Sequence, residues 1–213
     1  MLKYVSKNAV LLGLSATLCV GLIAGVNLLT KDRIAAQTLA QKIAKLQEVL
    51  PAGTADQTML DNCIYVEDKA VFGKDRTPIY RTQVQQQTVY VVETTAPDGY
   101  SGDITLLAAI RADATILAVR TLSHKETPGL GDKIEMQKDD WMLSFNGVQV
   151  QGLEDKRVAV RKDGGQFDQF TGATITPRAV VGAVKRAAVY LAQHPELASM
   201  PAACQAEAAA QVQ

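Results

Sequence analysis

Asp168-Gln169-Phe170-Thr171-Gly172-Ala173-Thr174-Ile175-Thr176-Pro177-Arg178 is a turn of small residues that opens directly into a helical stretch. Gly172 and Ala173 lack bulky side chains, so another group can approach the backbone closely there. Thr176 stands at the predicted N-cap. Pro177 suits the first helical position, where its missing N–H costs nothing. The helix predicted over 177–193 would aim its free N–H groups and positive dipole end back at Thr176, and such an end accepts a phosphate. The same residues also suit an ordinary capped helix, and taken alone they leave both readings open.

The 213 residues surrounding this stretch carry 47% hydrophobic and 21% charged side chains, enough for one domain with a real core. Basic and acidic residues balance at 22 each, and no dense Lys/Arg cluster occurs. Nothing here provides the basic face that nucleic acid requires. No G-x-S-x-G is present, and adjacent Ser123 and His124 do not build a nucleophile–base pair. There is no C-x-x-C, and His124 and His194 lie 70 residues apart, so no metal site is expected.

The N-terminal region breaks the globular pattern. No charge occurs from Asn8 to Thr30, and 9–29 is nearly all apolar or small, long enough to cross a ~30 Å hydrocarbon layer as a helix. The flank Leu29-Thr30-Lys31-Asp32-Arg33 offers no cleavage site, and Cys19 lacks the small residue expected before a lipid-modified cysteine. The expected organisation is a tail at 1–8, a single transmembrane helix at 9–29 and a membrane-proximal helix at 30–53. One domain at 54–195 and an Ala/Gln-rich, frayed tail at 196–213 complete it. Lys3 and Lys7 balance Lys31 and Arg33, so charge does not set the orientation. A short tail is most simply left in the cytoplasm with the domain outside. Cys63 and Cys204 would then lie in a compartment that permits a disulfide, although sequence does not show that they meet.

Within 54–195 the pattern predicts an α+β fold with a mainly antiparallel sheet and flanking helices. Cys63–Glu67 and Thr88–Thr94 are β-branched and aromatic. Ile104–Ile110 and Thr115–Thr121 read as a hairpin near the centre of a sheet. A short helix is expected over Leu130–Gln137 and a strand over Arg157–Arg161.

A second bent segment, Glu126-Thr127-Pro128-Gly129-Leu130-Gly131, follows the hairpin. Its spacing is neither a Walker loop nor G-x-G-x-x-G. A plain strand-to-helix connection is the competing reading.

Thr171–Thr176 with Asp168 resembles the flavinylation motif of the FMN-binding domain family, which the G subunit of the Rnf complex shares with the C subunit of the sodium-pumping NADH:quinone reductase. Glu126–Gly131 matches the family's second hallmark. Ala96–Gly102, Gly131–Glu135, Asp140-Trp141 and Pro177–Ala187 extend the likeness over nearly the whole chain, closer to the Rnf protein. The resemblance implies FMN attached by a phosphoester to Thr176, with Thr174, Gly172 and Ala173 around it. It also implies Glu126, Thr127, Leu130 and Gly131 against the isoalloxazine, where backbone N–H groups would stabilise the reduced ring. It further implies an electron carrier within a complex that couples ferredoxin/NAD electron transfer to ion translocation, with no stand-alone activity. Membrane and iron–sulfur/flavin partner subunits, a flavin transferase for maturation and an inner-membrane anchor with a periplasmic domain follow from it as well. A membrane-tethered flavin reductase acting directly on a soluble substrate is the alternative, and no second catalytic domain speaks for it.

Overall fold

The computed structural model describes residues 2–204. Helix α1 spans Leu2–Gln47. The chain divides into two compact units between Lys42 and Ile43. In the first unit the described apolar side chains Val10, Leu12, Leu14, Leu18, Val20, Leu22, Ile23 and Val26 are all exposed. The expected span at 9–29 lies partly outside the residues whose side chains are described. Among those that are, no helix is long and apolar enough to cross a membrane.

The second unit holds the rest: α2 (Gln57–Asp61), β1 (Cys63–Val66), α3 (Lys69–Phe72), β2 (Thr77–Val84), β3 (Gln87–Ala96), β4 (Ile104–Arg111), β5 (Ile116–Ser123) and α4 (Ile175–Gln193). The five strands pair antiparallel in sequence order. This is the α+β architecture expected, and the predicted hairpin is β4–β5, with Ala109 opposite Ala118.

Both faces of this sheet are covered, which explains why β3 and β4 read as continuous apolar runs rather than alternating ones. Tyr90, Val92, Leu106, Ala108 and Ile110 pack with Val180, Val184, Ala187 and Leu191 of α4. Their neighbours Val89, Val91, Leu107 and Ala109 point the other way, against Leu46, Val49, Leu50, Met59 and Leu60.

Two predicted elements differ. In place of a helix over Leu130–Gln137 there is one 3-10 turn, Asp132–Ile134, after which Glu135 is extended (φ −87, ψ 130). The chain straightens where the Glu135 carboxylate meets His124 Nε2 at 2.9 Å. The strand predicted over Arg157–Arg161 is absent from the sheet. Val158 and Val160 do alternate inward, but their stretch folds back on its own loop, Arg161 N–H donating to the Phe167 carbonyl at 2.8 Å.

The tail expected to fray is held down as far as Cys204. Arg81 Nη1 donates to the carbonyls of Leu197, Ala198 and Met200 at 3.0, 3.2 and 2.7 Å. The Ala203 N–H donates to the Cys63 carbonyl, and Cys63 and Cys204 are joined by a disulfide, Cα atoms 5.5 Å apart. The remainder of the expected tail, 205–213, lies outside the described residues.

Candidate functional site

Three loops and a helix end converge beyond the sheet. The chain leaves β5 at Ser123, turns through Pro128 and Gly129, and closes a tight bend in which the N–H groups of Leu130 and Gly131 both donate to the Thr127 carbonyl (3.1 and 3.0 Å). Gly129 has φ +79, which is why glycine suits it. Asp132 braces the bend by accepting from the Gly129 N–H at 2.8 Å.

The second loop carries Thr171–Thr176. Phe170 and Ala173 close a β-turn at 3.1 Å, with Gly172 at φ +82 in the third position, the sign a type II turn requires. The loop is anchored upstream: Trp141 Nε1 donates to the Asp168 carbonyl at 2.8 Å, and the Asp168 carboxylate pairs with Arg161. Trp141 itself packs among Phe145, Phe167 and Phe170, as a core residue.

Helix α4 begins two residues earlier than predicted. Thr174 takes the N-cap position, already in αR geometry, so Thr176 lies inside the first turn rather than at the cap. Pro177 is tolerated there because no N–H in a helix's first turn has an intrahelical partner. The correction changes where the hydroxyl points. Thr176 has no exposed surface, and its Oγ1–H donates to Glu126 Oε2 instead of capping its own helix. Glu126, 5% exposed, accepts from the Ser101 N–H at 3.0 Å with its other oxygen. His124 accepts the Glu126 N–H at Nδ1 (3.1 Å), which assigns its own proton to Nε2, facing Glu135. This histidine is a brace for Glu126.

A cleft of about 380 Å³ lies over this arrangement. Its walls include every residue the sequence nominated: Thr176, Thr174, Gly172, Ala173, Glu126, Thr127, Leu130 and Gly131. Tyr100 and Ile175 complete it. Tyr100 lies in the Ala96–Gly102 segment of the family likeness, and Ile175 carried no signal, being one apolar residue in a motif of hydroxyls. No side chain caps α4, and its first turn holds no acidic residue, so its positive end is left for an anion. Arg178 does not serve the cleft. Its guanidinium forms a two-pronged pair with Asp163 (2.6 and 2.8 Å), which holds the Asp163 carboxyl below its ordinary range. Lys185 donates to the Asp155 carbonyl, away from the site.

The cleft therefore combines a buried hydroxyl, a helix N-terminus and three exposed apolar side chains, Tyr100, Leu130 and Ile175. A flavin mononucleotide presents the complementary set, a phosphate and a flat, largely apolar ring system, so the residues fit that group.

Comparison with known proteins agrees. The FMN-binding domain family model matches residues 99–189, which include the whole cleft, and the RnfG N-terminal region model matches 1–49. The G subunit of the ion-translocating oxidoreductase complex of Shewanella loihica is 48% identical over 210 residues, covering 97% of this chain and 99% of its own. The protein of the same name from Escherichia coli O157:H7 is 45% identical over 205 residues, covering 96% and 99%. A solved structure, the C subunit of the Na(+)-translocating NADH-quinone reductase from Parabacteroides distasonis, covers 55% of this chain and 62% of its own at 24% identity and a TM-score of 0.45, a likeness too low to argue from. On its relatives and its FMN-binding domain, this chain belongs to the family of G subunits of ion-translocating oxidoreductase complexes.

Proposed function

We propose that this chain is the electron-transfer component of an ion-translocating oxidoreductase complex, carrying FMN bound covalently by a phosphoester to Thr176. One observation carries the reading: a single cleft joins the Thr176 hydroxyl, the uncapped N-terminus of α4 and the bend at Glu126–Gly131. When bound, FMN supplies the redox chemistry. The chain's own residues hold it. The first turn of α4 stabilises phosphate charge. Gly172 and Gly131 would keep the backbone close, Leu130, Ile175 and Tyr100 offer apolar surface, and the Thr127–Gly131 bend would hold the ring. A tether suits a carrier that works outside the cytoplasm, where lost FMN is not readily replaced.

Attachment would be made by a separate flavin transferase, and electrons would pass between ferredoxin and NAD through iron–sulfur and flavin subunits of the complex. Residues 9–29 of α1 would form the membrane anchor, N-terminus inside. The exposed apolar side chains from Val10 to Val26 surround the helix on every side, the pattern of a segment that meets lipid. The Cys63–Cys204 disulfide favours an oxidising, periplasmic location for the domain. The test is Thr176→Val beside Thr174→Ala, each produced with an active transferase. Covalent flavin fluorescence on a denaturing gel should vanish only in the first, and fluorescence surviving in Thr176→Val would sink the assignment.

A further inference from the structure

We propose that Glu126 is the base that receives the Thr176 hydroxyl proton when that oxygen is esterified. The proposal rests on the reading of Thr176 as the flavin acceptor.

A threonine hydroxyl is a weak nucleophile until a neighbouring group takes its proton. Here the neighbour is in place. Thr176 Oγ1 donates to Glu126 Oε2, both side chains are buried, and among the described residues no other side chain hydrogen-bonds to that hydroxyl. Glu126 is held from two further directions, Oε1 by the Ser101 N–H and its backbone N–H by His124 Nδ1. The carboxylate therefore keeps its position independently of the threonine it faces.

The donor would be a flavin dinucleotide pyrophosphate, an FMN joined to AMP. Thr176 Oγ1 bonds to the FMN phosphorus as the bond from that phosphorus to the bridging oxygen breaks. The Oγ1 proton passes to Glu126 Oε2, AMP leaves with the bridging oxygen, and no oxidation state changes. Thr176 has no exposed surface, so something above it must yield for the phosphorus to arrive. Gly131 packs close to it: a Cβ built there would stand 3.0 Å from Thr176 Oγ1. Gly131 belongs to the bend hydrogen-bonded to Thr127, whereas Glu126 is tied to Ser101 and His124, so displacing Gly131 breaks none of the hydrogen bonds that hold Glu126.

The competing explanation is two buried polar groups that merely satisfy each other. Glu126→Gln separates the two: with its amide oxygen kept on the Ser101 N–H, its NH2 group faces Thr176 Oγ1, so the side chain stays in contact with that oxygen but takes no proton from it. Full-length unmodified chain in detergent is incubated with flavin transferase, FAD and a divalent cation, and uptake is followed by intact mass and gel fluorescence. We expect Glu126→Gln to slow uptake about 100-fold or more, the usual size of a lost general base, with an unchanged melting temperature. Glu126→Asp should fall between the two. Added formate, but not chloride, should restore uptake in Glu126→Ala. Uptake by Glu126→Gln at the unaltered rate overturns the proposal. So does slow uptake with a lowered melting temperature and no rescue by formate, which makes Glu126 structural. Flavin retained by Thr176→Val defeats the acceptor reading itself. Flavin lost there, with Glu126→Gln unimpaired, defeats only the base.

Discussion

At Gly131 a single methyl group would touch the whole arrangement. A Cβ would lie 2.9 Å from both Glu126 Cβ and Oε2 and 3.0 Å from Thr176 Oγ1, and a hydrogen bond joins those two oxygens to each other. Gly131→Ala should therefore destabilise the domain by about 1–3 kcal/mol, as overpacking does, and reduce covalent flavin. Denaturant unfolding and gel fluorescence check the two effects, and a variant unchanged in both would show that the bend yields freely. Asp163 offers a test by pH. Its carboxyl is held below the ordinary ~3.9 chiefly by the hydrogen bond from Arg178. A lowered folded-state value means a stabilising contribution present above the ordinary carboxylate range and lost as pH falls through the folded value. NMR titration should place Asp163 below that range in the intact chain and return it there in Arg178→Ala. The hydroxyl–carboxylate pair itself was not legible: Glu126 and Thr176 are 50 residues apart, and neither segment alone signals which way its side chain turns.

Among the elements, the β4–β5 hairpin and α4 were readable because their apolar runs are long, and length separates strand from helix where periodicity cannot. Residues 157–161 misled for the same physical reason. Val158 and Val160 alternate inward as a strand would, yet Phe167 of their own loop supplies the backbone partner. The two-residue turn between β2 and β3 was invisible, since Gln85 and Gln86 are not turn formers. Both adopt positive φ, 52° and 64°. That geometry is strained for side-chain-bearing residues and favours an Asn-Gly pair. The double substitution Gln85→Asn with Gln86→Gly should stabilise the domain by about 1 kcal/mol or more, visible as a higher melting temperature. A lower one would place the strain elsewhere.

At the level of the whole molecule, residues 197–204 behave as part of the domain. Arg81, the Ala203–Cys63 hydrogen bond and the Cys63–Cys204 disulfide bind them to the edge strand β1 and its neighbour β2. Composition suggested fraying because Ala and Gln carry no packing signal, and the residues that hold the tail lie mostly in those two strands. Cys63→Ser or Cys204→Ser should cost about 2–4 kcal/mol, measured by denaturant unfolding under oxidising conditions. Equal stability with and without the bridge would show that the Arg81 contacts suffice. The role of the whole chain as a flavin carrier depends on one modified residue in an intact complex. Intact-mass spectrometry with peptide mapping, on chain isolated from its own membrane, tests that most directly. A mass increase of one FMN phosphoester is predicted, confined to the peptide carrying Thr176 and located on that residue. An unmodified chain from cells with an active flavin transferase, or a flavin on any other residue, would contradict it.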